Sequence, residues 1–508
     1  MKLIDPVVAL PTAQSEKFIR KFGLWSDDQH MQAAALKERV LKEDIRLFRV
    51  AWADPHGVSR AKTVTRAAFI GALESGYNIN VATTTLDASG GRVFSSFTRG
   101  GGMGLEEMTG SPNLIVVPDP ATFRVLPWEL NVGWILCDEY FTNGVPFHFS
   151  PRHLLRKQLD RLSKRNLRSV VGLEIEWYLL KLVDGNLTSE NVGSPGIKGR
   201  APLTYPVEPG FSLHSESNMD LIHKPVAALA EYLERLGLPL RSIEKEWGPG
   251  QLECTFAPSD ALEAADNVVL FRTATRQICR RMGYLATFMP RPKLAGYYSS
   301  GWHLHQSLVD ASDGRNLFMP TADGQGLSPL GRSYLGGLMH HALSSTLFAN
   351  PTVNGYRRFR ANSLAPDRVA WCTDHRGVML RVLGAIDDPA SRIENRIGEP
   401  SANPYLYIAS QIVAGLDGID NNRHPGPPDT DPYATKHPML PKSLNEALLL
   451  MGNEPLYRES LGATFVDYYL KLKQAEIGRY EKFSTENKTD PLSDDTTVWE
   501  QDEYFDFF

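Results

Sequence analysis

Apolar and polar residues alternate with a period of two in four separate stretches, and each time the polar face carries the same kinds of group. On a strand, side chains at i and i+2 share a face. In GLEIEWYLL, Leu173, Ile175 and Trp177 point one way and Glu174 and Glu176 the other, about 7 Å apart along the strand. In GWHLHQSL, Trp302 and Leu304 oppose His303, His305 and Ser307. In RIENRI, Ile393 and Ile397 oppose Arg392, Glu394 and Arg396. In EWGPGQLECTF, Leu252, Cys254 and Phe256 oppose Gln251, Glu253 and Thr255. There Glu246 precedes a Gly248-Pro249-Gly250 break that bends the chain and can aim its carboxylate back.

The other elements follow from turn and cap residues. Residues 15–42 are charged and helix-permissive. Asp54-Pro55-His56-Gly57 between two runs predicts a hairpin turn. The Gly-rich stretch 89–104 predicts a loop, and LIVVPDP and GWILCDEY predict strands. Ser150-Pro151 predicts a helix start with Ser as N-cap. Further helices are expected at about Pro225–Leu236, stopping at Gly237, and from Asp260, with Glu263 completing a capping box, to near Arg281 and Gly283. The tail after about Asn487 is acidic and is expected to be loosely ordered, with its last aromatics able to dock.

Composition narrows the class without naming it. The 508 residues are enough for more than one domain. A formal net charge of −5 gives no reason to expect nucleic acid or an acidic membrane as partner. No apolar run approaches a membrane span, and the N-terminus has no convincing signal-peptide pattern. Cys137, Cys254, Cys279 and Cys372 have no metal-ligand spacing, and a reducing cytoplasm fits them.

Any one of the four strands reads equally as a half-buried strand with a wet face. Such faces usually mix in Lys, Thr, Ser and Gln, whereas these are mostly Glu, His and Arg. If they converge, Glu174, Glu176, Glu246, Glu253 and Glu394 share one space and repel unless cations intervene. Carboxylates with one imidazole suit Mg²⁺ or Mn²⁺, whose open positions take phosphate oxygens. Arg357, Arg358, Arg376, Arg381, Arg392 and Arg396 offer guanidinium forks for carboxylate and phosphate. Some of them, Arg357 and Arg360 especially, are expected to pair with Asp367, Asp374, Asp387 and Asp388. No GxxxxGK[ST] loop and no GxGxxG after a strand is present, so a nucleotide would be held by metals and arginines.

In order, DPHGVSRAKTV, VVPDPATFRVLPW, GLEIEWYLL, EWGPGQLECTF, GWHLHQSL, NPTVNGYRRF, DHRGVMLRV and RIENRIGEPSANPYLYIASQIVAGLDGI resemble the glutamine synthetase superfamily over nearly the whole chain. The resemblance implies an α+β fold: an N-terminal helical segment (1–43), a β-grasp domain (44–145) and a catalytic half-barrel domain (146–508). It implies one metal on Glu176, Glu246 and Glu253 and a second on Glu174, His303 and Glu394, with two or three Mg²⁺ or Mn²⁺ ions per site. Arg358 and Arg396 would face glutamate and its γ-phosphate. Arg376, Arg381 and Arg392 would bind ATP phosphates and steady the transferring phosphoryl group. His305 and Ser307 would sit by the nucleotide. Glutamate, an amine and ATP would be the substrates, and the assembly a homo-oligomer of stacked rings, commonly a dodecamer.

The chain departs from ammonia-using members in one physical direction. The acidic flap position of those enzymes is Leu364 here, in RRFRANSLAP, and Val93–Gly102 offers no matching Asp. The usual Asn-Gly reads Tyr298-Ser299, followed by Ser300-Gly301-Trp302. Losing acids and gaining Leu, Tyr and Trp makes a less polar pocket of Tyr298, Ser299, Trp302 and Leu364. That favours an amine arriving neutral, such as an aryl or small alkyl amine. Asp54 and Glu106-Glu107 remain other sources of acidity. The competing expectations are a γ-glutamylpolyamine synthetase, glutamine synthetase proper and an inactive homologue.

Overall fold

The computed structural model describes residues 16–320, 326–360, 363–433 and 437–508; the first 15 residues of the expected N-terminal helical segment lie outside the described residues. Two sheets organise the α+β fold. The first holds β1 (Leu47–Ala53), β2 (Ser59–Thr65), β3 (Tyr77–Asn80), β4 (Asn113–Pro118), β5 (Arg124–Val125) and β6 (Val132–Tyr140). Its order is β2-β1-β6-β4-β3, with β5 on β6, and β1 runs parallel to β6. The helix Arg66–Ser75 closes it, with Phe69 stacked on Phe48 at 4.0 Å. Asp54 belongs to the β1–β2 turn: it is buried, accepts from the backbone of His56 and Val58, and pairs with Arg60. Glu106 pairs with Arg99, both exposed.

The second sheet is a curled half-barrel of β7 (Leu167–Leu182), β8 (Thr204–Pro206), β9 (Leu240–Lys245), β10 (Gln251–Asp260), β11 (Tyr284–Thr287), β12 (Trp302–Asp310), β13 (Trp371–Thr373), β14 (Leu380–Leu383) and β15 (Arg392–Gly398). Its order is β13-β14-β15-β12-β7-β10-β9, with β8 and β11 also on β7. The period-two reading of β7 is visible in burial: Leu173, Ile175 and Trp177 are in the core, while Glu174 and Glu176 are not fully covered. Behind the sheet pack the helices Ala261–Arg281 and Pro404–Asp420, whose inward sides are mostly apolar. Burying them supplies the main driving force for closing this layer.

A buried charge cluster ties the two sheets together. Arg152, on the helix Pro151–Ser163, donates to Asp266 at 2.9 and 2.7 Å, to Asp138 at 2.8 Å and to Asp119 at 2.8 Å. Arg156 adds bonds to Asp119 and Asp138, and Tyr405 Oη donates to Asp266 at 2.7 Å.

Several local expectations change. Ser150 and Asp260 sit at their helix N-termini without a side-chain cap bond. Asp260 instead pairs with Arg168, so the box with Glu263 does not form. The helix expected at Pro225 starts at His223. The tail is ordered: Val498–Tyr504 is a helix with a full Thr497/Glu500 capping box, and Tyr504, Phe505 and Phe508 are buried. Arg276 holds it by the Phe507 carbonyl at 2.8 Å, and Arg357 pairs with Glu500 at 3.1 Å. Arg357 is thus structural, though its partner is the tail rather than Asp367, Asp374, Asp387 or Asp388. Arg360 likewise turns to Asp494.

Candidate active site

Strand register, more than any single residue, builds the site. Glu253 on β10 lies directly opposite Glu176 on β7, and His303 on β12 opposite Glu174. Glu394 on β15 lies opposite His305, and Arg381 on β14 opposite Glu394. Acids directly across a ladder repel, and here several do so on one concave face. His303 Nδ1 is 3.2 Å from Glu174, 3.9 Å from Glu253 and 3.9 Å from Glu394, and its Nε2 is 3.8 Å from Glu176. His305 Nε2 is 2.9 Å from Glu174. Glu174 with Glu253 and His303, and Glu174 with His305 and Glu394, each bring one ligand atom per residue within 4.8 Å of the others.

Glu246 reaches the same space from the turn before β10. That turn is pinned by Lys245, fully buried, which pairs with Glu208 at 3.2 Å and donates to the Gly248 carbonyl at 2.8 Å. Gly250 has φ +76°, and a Cβ there would lie 2.3 Å from the Leu179 carbonyl, so only glycine allows the bend. Gly301 is restricted differently: its Cβ would stand 3.0 Å from Arg358, 3.2 Å from His303 and 3.3 Å from Glu176. Gln251 steadies Glu176 at 2.9 Å while also donating to Ser299 and Ser300.

The electrostatics divide the face. Burial, then the charges of Glu176, Glu174, Glu246 and Glu244, push the Glu253 carboxyl well above the usual range. Burial and Glu246 push Glu176 up, and burial raises Glu246. Glu253 Oε1 is buried without a hydrogen-bond partner. At the other end, burial opposes ionisation of Glu174, but hydrogen bonds from His303 and His305 hold it low. Glu394 is also held low against burial, by His303 and Arg396. Burial and Arg396 lower His303, so it is a neutral imidazole at neutral pH, the form that ligates metal. A divalent cation fits this face: hard oxygen donors with one neutral imidazole, an orphaned buried carboxylate oxygen, and the mutual repulsion of Glu176, Glu246 and Glu253, none of which has an ion pair with a Lys or Arg among the described residues.

Arginines border the acids. Arg381 donates to Glu394 at 3.0 Å and also pairs with Asp374, and Arg396 pairs with Glu394. Arg358 is buried, donating to Asn350 at 3.0 Å and the Ile397 carbonyl at 2.8 Å, with Nε unpaired. Arg392 donates to His305 Nδ1 at 3.0 Å. Next to it opens a cavity of about 650 Å³ lined by Glu174, His305, Ser307, Arg315, Asn316 and Arg392. Arg376 is not brought in: it stands exposed on the turn between β13 and β14.

The expected amine pocket is only partly assembled. Leu364 is 66% exposed, with φ +61°, and its carbonyl faces Arg396 at 3.5 Å. Tyr298 is 46% exposed, and the Ser299 carbonyl accepts from Gln251. Trp302 is not a pocket residue: it is fully buried on the far side of β12 from His303, its ring 5.1 Å from Tyr407. Alternation along GWHLHQSL already places it there. Two aromatics missed by sequence reasoning take its place at the rim. Trp247, adjoining Glu246, has its ring 6.3 Å from Tyr298 and 6.1 Å from Phe211. No sequence pattern marks Phe211, which arrives by a long loop. Glu244 was also missed; extending the period of two through β9 toward Glu246 would have found it.

The glutamine synthetase catalytic-domain family matches residues 148–491. A γ-glutamylanilide synthase from Acinetobacter sp is 44% identical over 97% of this chain and 99% of its own length. A glutamate–isopropylamine ligase from Pseudomonas sp is 28% identical over 90% of this chain and 97% of its own. A solved structure, apo GmaS without ligand, superposes with TM-score 0.74 at 28% identity, covering 88% of this chain and 96% of that one. With two thirds of the sequence matching the catalytic domain and the acids set on the strands of its half-barrel, the chain belongs to the glutamine synthetase family.

Proposed function

We propose that this chain is an ATP-dependent ligase that joins the γ-carboxylate of glutamate to an amine larger and less basic than ammonia, an arylamine such as aniline being favoured. The observation that carries the reading is one acid-and-arginine wall bordered by an apolar rim of Leu364, Tyr298 and Trp247. Glu174, Glu176, Glu246, Glu253, His303 and Glu394 would hold two or three Mg²⁺ or Mn²⁺ ions, which supply charge neutralisation for phosphoryl transfer. The cavity beside His305, Ser307 and Arg392 has room for the nucleotide. Arg381, with Arg376 able to swing in from its exposed turn, would bind its phosphates.

A γ-carboxylate oxygen of glutamate attacks the γ-phosphorus of ATP, the bond to the bridging oxygen breaks and ADP leaves. Arg358 and Arg396 orient the carboxylate and compensate charge on the moving phosphoryl group. The amine nitrogen then attacks the acyl carbon, phosphate departs with the C–O bond electrons, and the nitrogen loses its proton. An arylamine arrives neutral, so it needs no carboxylate to hold a cation beforehand. Trp247 and Tyr298 offer ring faces and edges against which an aryl group can stack. Support for this substrate comes also from the Acinetobacter relative, whose name is γ-glutamylanilide synthase.

The reading includes a cytoplasmic homo-oligomer of stacked rings. Exposed Leu187, Val192, Ile197 and Leu203 support an interface between subunits. Phosphate release with ATP, Mg²⁺ and glutamate, followed over ammonia, methylamine, isopropylamine, ethanolamine, putrescine, spermidine and aniline with products weighed, tests the function. Aniline should turn over and ammonia should not. Efficient use of ammonia would return the chain to glutamine synthesis, and silence with every amine would reject the ligase.

A further inference from the structure

One buried ion pair beside the acid face joins two segments that carry different parts of the site. Lys245, the last residue of β9, and Glu208, in the loop after β8, are both buried and lie 3.2 Å apart. The three donors of the ammonium are spent on Glu208, on the Gly248 carbonyl at 2.8 Å and on the Glu246 carbonyl. Glu208 in turn accepts from the Gly210 amide at 2.6 Å and from the Gly250 amide. An apolar pair of the same volume would often serve stability as well. What this pair supplies is position: it fixes the loop 208–211 against the turn 246–250.

The turn bears Glu246, one of the acids suited to metal, and beside it Trp247, an aromatic of the rim. The Glu246 carboxylate accepts from the Trp247 amide at 3.2 Å, so acid and aromatic are tied at their own backbone. The loop bears Phe211. Its amide donates to the Trp247 carbonyl at 2.7 Å, and the His214 amide donates to the Lys245 carbonyl at 3.1 Å. The rings of Phe211 and Trp247 meet edge to face. Loop and turn thus form one body, which carries a half-buried acid and two exposed aromatics.

We propose that Lys245 and Glu208 are positioning residues that couple divalent-metal binding at Glu246 to the aromatic rim, so that the metal pre-orders the surface on which an arylamine stacks. A cation that draws the Glu246 carboxylate toward Glu176 and Glu253 holds the turn and Trp247 with it, and through the buried pair it holds the loop with Phe211. Such coupling is reciprocal: an arylamine on the rim tightens the metal by the factor by which the metal tightens the amine. The role of the rim rests on the function proposed above, whereas the coupling of turn to loop stands on the geometry alone.

Amide hydrogen exchange of the full chain, in saturating Mg²⁺ and in EDTA with no amine, nucleotide or glutamate present, tests the coupling. Residues 208–214 and 246–251 should slow together, each several-fold, while the first sheet does not change. In Glu208→Gln the turn should still slow and the loop should not. Lys245→Met combined with Glu208→Gln leaves no buried charge unpaired and should uncouple them in the same way; the parent pattern alone decides if neither variant folds. Slowing confined to the turn, spread evenly over the chain, or unaltered in the variants would overturn the proposal. In turnover, Glu208→Gln should raise the aniline KM and the Mg²⁺ needed for half-maximal rate several-fold, each by more than kcat falls. A fall in kcat alone, the mark of lost folded enzyme, would reduce the pair to a structural role. If the parent turns over no amine, the ligase reading fails while the exchange pattern still decides the coupling.

Discussion

The Arg152 cluster and the acid face of the half-barrel are both buried gatherings of charge, and they are settled in opposite ways. Around Arg152, two arginines meet three aspartates, and each aspartate accepts from a guanidinium. Burial disfavours the charge on Asp138, yet Arg152 and Arg156 hold its carboxyl well below the usual range. On the acid face, Glu176, Glu246 and Glu253 are driven the other way, and a Glu253 oxygen has no partner. A charge cluster that serves the fold gives each acid a guanidinium partner. One that serves chemistry leaves a deficit for a ligand to fill.

Replacing one charge on each side gives the widest separation. Glu253→Gln should lower turnover by about 10³-fold or more while leaving the chelated protein at least as stable, since one like charge is gone. Phosphate release together with melting in EDTA checks this, and a strong loss of stability would place Glu253 with the structural charges. Arg152→Ala should cost about 3–5 kcal/mol, because it leaves buried Asp266 without a guanidinium and Asp119 and Asp138 sharing Arg156 alone. Urea unfolding measures it, and a loss below about 1 kcal/mol, the size of an exposed pair, would erase the contrast.

Chelation should act on one region only. Removing Mg²⁺ should cost on the order of 2–3 kcal/mol if the ion was present at about a hundred times its Kd. In EDTA the two regions should then respond oppositely to pH. Glu176 and Glu253, raised in the fold, contribute stability that is complete below the ordinary carboxyl value of 4.5 and is lost as pH rises. Asp138, depressed, contributes stability present above 3.8 and lost as pH falls toward its folded value. Urea midpoints that fall from pH 5 to pH 9 in EDTA, and level out with Mg²⁺, would fit; a flat EDTA series would not. The smallest effect belongs to the rim: Leu364→Glu should improve the use of ammonia relative to aniline by about tenfold, or about 1.4 kcal/mol, read from kcat/KM for each amine.

Legibility in the sequence followed the range of the forces involved. Alternation is local, so Glu174, Glu176, Glu253, His303 and Glu394 could be put on polar faces from neighbouring residues alone, and β7, β10, β12 and β15 carry them on such faces. The same logic placed Trp302 inside, and treating it as pocket lining set that logic aside. Contacts across the chain were not legible. The tail reads as acidic and loose, yet Arg276 and Arg357 grip it from more than a hundred residues away. Asp260 had the residue type of a cap, but Arg168 outcompeted the helix for its carboxylate. Arg272, on the helix Ala261–Arg281, is buried without a hydrogen-bond partner among the described residues, and nothing in sequence marks such a side chain.

The exposure of Leu364, Tyr298 and Trp247 has a consequence for how such a protein can change over generations. The acids are locked to strand register and to a bend at Gly250 that admits no side chain, so most substitutions among them are lost along with the enzyme. The rim residues are held by few neighbours and stand 40–66% open. Mutations there are nearly free in stability, so the choice of acceptor can drift and be reselected while the chemistry behind it is inherited intact.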